Sequence, residues 1–557
     1  MRRREHLPPP WTQAGESESY PPGDEVGLCV AADYFCRSHS RSPMFSELST
    51  SSHTFMRRSV LLSAIAAVAI AAMSPPLAVK KPQALTSMVN QAGSVHSLIK
   101  LTDEHCYAFN QVHASAAWMQ LSKLKRKRHF GMSKKLEQNL EPLVERTIHL
   151  AASKQLSGRA IANIAYGSVK SGMRSSPSSE VFFDALEESA SARRLSECTP
   201  QALANLVWAF ATARKRAPGL FSALAAAAAP KLDDFESQHL SMTAWSYATS
   251  DYAAPALFDG IATASLPRLD EFEPRHLSVT AWSFATLGRR SPQLFDGIAR
   301  ESVRRLDEFN PQDFCNLAWA FATVGHSAPL LFDHMAEEAA PQLDDFTPQG
   351  LANFAYAFNG APSMQYALRD RMLKDIAKAA IPRLDDFSSR NLVNLVLPLT
   401  SHGLRDPQFF DALAKTVKPR LNDFKDFPQG LSHLAWAFAE AGNTDAALFD
   451  QMAATIEPRV EELTPHAVSR TAWAFVAQPS PAAARLFDAI AAVVAARVRE
   501  FSAQELGQLG MAFARASFAT TRYTWTRQDA EALDSSSAAD AELLQAKPMP
   551  GDYGYIR

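Results

Sequence analysis

Between Trp208 and Tyr356, one alanine-rich phrase returns every 37 residues. It reads ANLVWAFAT at 204–212, MTAWSYAT at 242–249, VTAWSFAT at 279–286, NLAWAFAT at 316–323 and NFAYAFN at 353–359. With the aromatic residue as position zero, further copies centre on Tyr166, Leu397, Trp436, Trp473 and Met511, at steps of 37 to 42 residues. A weaker copy centres on Trp118. A unit this short cannot bury its own apolar side, so a chain that repeats it must stack the copies. The expected fold is all-α: an α-solenoid, wound as a right-handed superhelix of about ten two-helix repeats.

Each unit spells two helices. Thr347 is a natural N-cap, and Pro348 suits the first helical position. Asn310 to Asp313 and Ser502 to Glu505 fit the same cap with an acid at its third helical position. A phenylalanine precedes each cap (Phe235, Phe272, Phe309, Phe346, Phe387), five residues before an apolar one, as in a hydrophobic staple. This first helix, A, is expected to end at a glycine such as Gly288 or Gly325. Helix B starts at a second proline (Pro218, Pro255, Pro292, Pro329), and acids such as Asp259 and Asp333 fall in its first turns, where the macrodipole favours them. A later proline, Pro267 or Pro341, must kink or end it. An acidic corner, as in RLDDF, leads into the next cap.

The domain plan follows from where this pattern holds. Residues 155–515 form the repeat solenoid, and 81–154 a helical N-terminal cap region. Residues 1–55, rich in Pro, Ser and Arg, read as a disordered extension, and 516–557, rich in Ser, Ala and Asp, as a disordered tail. Segment 56–80 carries Arg57 and Arg58 before a short apolar run and reads as a targeting sequence; a buried Ala-rich helix is the other reading. The run is too short for a stable membrane span in the mature chain. Met56 suits a translational start, which would leave 1–55 outside the native protein.

Function turns on helix A. At about 100° per residue, positions −5, −2 and +2 share the core side and −7, −3, 0 and +4 the opposite side. Alanines on the flanks let successive A helices approach closely. The stack then presents three ladders. At −7 stand Gln201, Gln238, Arg275, Gln312, Gln349 and Arg390; at −3 stand Asn163, Asn205, Asn316, Asn353, Asn394, His433, Arg470 and Gln508. At zero stand Trp208, Trp245, Trp282, Trp319, Trp436 and Trp473. Rings beside variable amides and arginines suit single-stranded RNA: bases stack on the rings while Asn, Gln and Arg reach base edges or phosphates. The bland alternative is that the rings fill grooves between helices and the amides face solvent. The varying −3 ladder is the better specificity candidate, since packing has less reason to vary it.

The phrases ANLVWAFAT, CNLAWAFAT, HLAWAFAE and RTAWAFV, with LFD in the second helix, resemble organellar RNA-binding repeats. They are similar to octotricopeptide-type repeats, to RNA-editing substrate-binding complex subunit-six-like proteins and to FAST-kinase-like Leu-rich regions. The resemblance implies an α-solenoid in a plastid stroma or mitochondrial matrix. It implies organellar RNA and other RNA-processing proteins as partners, and a role in RNA processing, stability or translation. Many relatives end in a small nuclease-like RAP domain; none is recognisable after residue 515.

Other signals are weaker. The basic run KLKRKRHFGMSKK, 123–135, either anchors phosphates or is a solvated helix end. A formal net charge of −2 supplies no global basic field, and with the recurrent acids it favours the other class of function, a protein-binding scaffold of armadillo or HEAT type. The five cysteines form no CxxC pair, and His239 and His276, one unit apart, lack further ligands; no metal site is expected. No phosphate loop and no nucleophile–base constellation occurs, so neither catalysis, cofactor nor small-molecule substrate is expected.

Overall fold

A computed structural model describes residues 82–125, 134–173, 177–361, 364–443, 445–476, 478 and 480–516. The expected extension, the targeting segment, most of the basic run (126–133) and the tail from 517 lie outside the described residues. Among the described residues there are 25 α-helices, short 3-10 turns and no strand: an all-α solenoid. No described helix is long and apolar enough to cross a membrane. The chain divides into two compact units between Ile298 and Ala299.

In the first unit the A helices are Gln111–Lys125, Gly158–Lys170, Pro200–Thr212, Ser237–Thr249 and Pro274–Thr286, each packed on the next. Glu141–Ala152, Pro177–Ser189, Pro218–Ala228 and Pro255–Ser265 are the B helices. The weak copy around Trp118 is thus a full repeat, its indole Nε1–H donating to the Thr147 hydroxyl at 3.1 Å. In the second unit the A helices are Pro311–Val324, Pro348–Gly360, Ser389–Ser401, Pro428–Glu440, Pro465–Phe475 and Ala503–Arg515, again packed in series.

Local chemistry sets the helix ends as expected. Thr347 Oγ1 accepts the Gly350 N–H at 3.0 Å, and Asn310 Oδ1 accepts that of Asp313 at 3.0 Å. Ser502 and Glu505 form a reciprocal capping box. Phe309 packs against Phe314, with ring centroids 5.7 Å apart and the planes tilted, as the staple requires. Gly325 ends its helix at φ 66°, and the next amide, of His326, returns to the Phe321 carbonyl at 3.0 Å. The late proline of helix B converts the chain into a 3-10 turn, as at Leu266–Glu271. Phe314, Leu317 and Phe321 are fully buried, as the wheel places them.

Ties between repeats are the part that sequence reading missed. In several repeats the cation of the acidic corner reaches back to the carbonyls of the preceding corner. Arg383 Nη1 donates to Asp344 O at 2.8 Å and Phe346 O at 2.9 Å; Arg420 reaches Phe387 O at 2.7 Å, and Arg497 reaches Glu461 O at 2.9 Å and Leu463 O at 3.1 Å. In the first unit Lys231 does the same to Ser196 O and Cys198 O, at 2.6 and 2.8 Å. Some corner acids are paired as well: Arg459–Glu462 at 2.6 Å and Arg497–Glu500 at 2.7 Å. The acids early in helix B also bind the next repeat. Asp184 pairs with Lys215 at 2.7 Å, Asp259 with Arg289 at 2.6 Å, and Asp333 accepts from Gln365 Nε2 at 3.1 Å. The signal was present, a basic or amide residue at a fixed place in the repeat, but its partner lies one repeat away.

Candidate nucleic-acid interface

In each unit the A helices form a layer, on which that unit's share of the three ladders lies. At −7, Gln201 and Gln312 are exposed, and Gln238, Arg275, Gln349 and Arg390 are half-buried. At −3, Asn163, Asn205, Asn353, Asn394, Arg470 and Gln508 are half-buried. Asn316 and His433 differ: they are 8% and 2% exposed, sunk between neighbouring A helices and withdrawn from a face that a ligand could read. A helical wheel places −3 on the open side because it ignores the adjacent helix. Both ring nitrogens of His433 are buried without a hydrogen-bond partner. Burial, then the nearby Arg470 and His466, push its imidazole down to about 3, so it stays neutral.

The aromatic row is partly sunk into the layer. Trp208, Trp245, Trp319, Trp436 and Trp473 are half-buried, and Trp282 is 3% exposed. Several rings already have a neighbour over them. Tyr166 lies 5.2 Å from Trp208 between centroids, with Lys170 Nζ 5.5 Å from the Trp208 ring. Arg470 lies 4.5 Å from the Trp436 ring, Arg515 5.3 Å from Trp473 and Arg390 5.3 Å from Phe427. Ladder residues thus meet across repeats: an arginine at −3 or −7, or a cation at +4, rests on an aromatic of the adjacent unit. Lys170 and Arg515, at +4, were not among the expected residues. Trp245 has no such ring or cation contact among the described residues.

Charge is segregated in a way that the net value of −2 conceals. Seven of the ten A helices from Gly158 onward contain no acid. Of the acids in the other three, Asp313 is 3% exposed, Glu440 stands at a C-terminus, and Glu505 faces His466 at 3.9 Å. Acids gather instead in the B helices and at the corners, as in Asp233, Asp234, Asp344 and Asp345. Among the described residues the A layer therefore offers amides, rings and cations with few carboxylates beside them.

His239 and His276 are buried at the third helical position of their A helices. His276 Nδ1 accepts the Glu273 amide at 3.3 Å, completing a cap, and burial pushes its imidazole down to about 4. Among the described residues no cluster of His, Cys, Asp or Glu could hold a metal ion.

Residues 143–377 match the model of a family described as RNA-editing substrate-binding complex 6 protein. No curated protein matches the chain. Among known structures, the chain is similar to a homology model of the full-length AP-3 complex in an intermediate open conformation, with 10% identity over 79% of each chain and a TM-score of 0.29. It is also similar to a circular tandem repeat protein with novel repeat topology and enhanced subunit contact surfaces. That match has 12% identity over 78% of this chain and 98% of the other, with a TM-score of 0.15.

Proposed function

We propose that the A layer of this helical-repeat chain, whose residues 143–377 match the RNA-editing substrate-binding complex 6 model, binds single-stranded RNA with sequence selectivity. The observation that carries this reading is the charge segregation: a layer almost free of acids, lined by Gln, Asn and Arg, on a chain whose acids lie elsewhere. Half-buried Asn205, Asn353 and Asn394 reach base edges, while the cations resting on the tryptophans meet phosphates. The tryptophans hold those cations as much as they stack on bases. The setting is an organelle, plastid or mitochondrion, with other RNA-editing or RNA-processing proteins as partners and no intrinsic catalysis.

Fluorescence anisotropy of the full chain against a random RNA pool, across a salt series, tests the reading. Tight binding that weakens with salt is expected. Asn205→Ala, Asn353→Ala and Asn394→Ala together should shift the preferred sequence while circular dichroism stays unchanged. A well-folded protein that binds no RNA would transfer the case to a protein scaffold. Leu330 and Tyr366, each 67% exposed near the starts of successive B helices, would then be the first docking residues to vary.

A further inference from the structure

Three A helices of the first unit end in cations. Lys170 closes Gly158–Lys170; Arg214, Lys215 and Arg216 follow Pro200–Thr212; Arg289 and Arg290 follow Pro274–Thr286. The opposite ends of the same layer are acidic. Asp233, Asp234 and Glu236 precede Ser237–Thr249, and Asp270, Glu271 and Glu273 precede Pro274–Thr286. The macrodipole favours a cation at a helix C-terminus and accounts for one per helix, not for these groups.

Two of the cations serve the fold. Lys215 and Arg289 are tied to Asp184 and Asp259 at 2.7 and 2.6 Å, which anchors their loops. Arg214, Arg216 and Arg290 project beside those anchors. All three are exposed, and no acid lies within ion-pair distance of them among the described residues. Arg214 holds φ 53°, the left-handed position that Gly288 fills at φ 62° two repeats later. A charged side chain stands there at a conformational cost that glycine would avoid. The loop between the two clusters carries Asp251 and Tyr252, so the positive charge comes in two groups. With A helices stacked about 8–10 Å apart, those groups stand roughly 16–20 Å from each other along one edge.

We propose that this edge is a phosphate track, which takes the sugar–phosphate backbone of an RNA whose bases turn toward the A layer. The proposal rests on the RNA reading above and gives it an orientation: backbone along the C-terminal ends of the A helices, away from the acidic corners. Electrostatic contacts of this kind position a strand without reading it.

The test uses the full chain with two probes, a single-stranded RNA and inorganic polyphosphate, which has no bases. The variant is Arg214→Gly, Arg216→Gln and Arg290→Gln, the glycine chosen to suit the left-handed backbone. The slope of log affinity against log salt should become shallower by about 2 for the RNA, and affinity at about 0.1 M salt should fall roughly 10- to 100-fold. The ranking of RNA sequences should not change, and polyphosphate binding should be lost. If the wild type binds RNA and the variant keeps its slope, the track is overturned while the RNA reading stands. If the wild type binds no RNA but binds polyphosphate through these arginines, the RNA reading fails and the anion edge survives. If it binds neither, both fail.

Discussion

Gly167 lacks a side chain because there is no room for one. A Cβ there would sit 2.7 Å from the Trp118 carbonyl carbon, where two A helices meet most closely. Gly167→Ala should therefore destabilise the first unit by about 1–3 kcal/mol, read as a lower urea midpoint. The alanine that fills the equivalent place in the Trp208 and Trp319 repeats, Ala209 and Ala320, is fully buried but fits. At this scale the sequence was most legible where chemistry is local. Thr347, Pro348 and Gly325 announce their roles because a cap or a left-handed turn involves only a few neighbouring residues. His433 and Asn316 were not legible: their depth depends on how closely the next helix leans in, which no single-helix pattern contains.

At the scale of the element, helices A and B were readable from spacing, but the bonds that join one repeat to the next were not. The RLDDF corner reads as solvated acid when taken alone. Its arginine is in fact a staple, held by two carbonyls in the case of Arg383. Arg383→Ala should cost about 1–2 kcal/mol, because it leaves partly buried carbonyls without their charged donor. Arg383→Gln should recover part of that loss in the same chemical-denaturation series. Thr416, whose hydroxyl donates to Asp385 Oδ1 at 2.8 Å, adds a further tie to the same region.

Across the whole molecule, each unit carries a buried imidazole that burial keeps deprotonated: His276 in the first, down to about 4, and His433 in the second, down to about 3. In the unfolded chain both return to the ordinary value of 6.5. Below that value the unfolded state binds more protons, so stability present at pH 7 declines on acidification, with the full cost reached near pH 3–4. His239 and His466 are shifted down as well, mainly by burial, and add to the same trend. A thermal melt series from pH 7 to pH 4 should show the fall. His433→Leu should flatten it and raise the melting temperature at pH 7, since leucine has no polar atoms to leave unmet. An unchanged slope would assign the acid response to the carboxylates instead.

The corner cations impose an order in time. Lys231, Arg383, Arg420 and Arg497 each serve the repeat before their own, so the corner each one ties is complete only when the following repeat has been made. At a synthesis rate of roughly 5–20 residues per second, a corner on the ribosome waits about 2–7 s for its successor's arginine. During that interval its carbonyls are open to water, to chaperones and to misplaced strands of the same growing chain. A pause in translation just before Arg383 or Arg420 would lengthen the exposure of the corner already made and leave the earlier ones untouched.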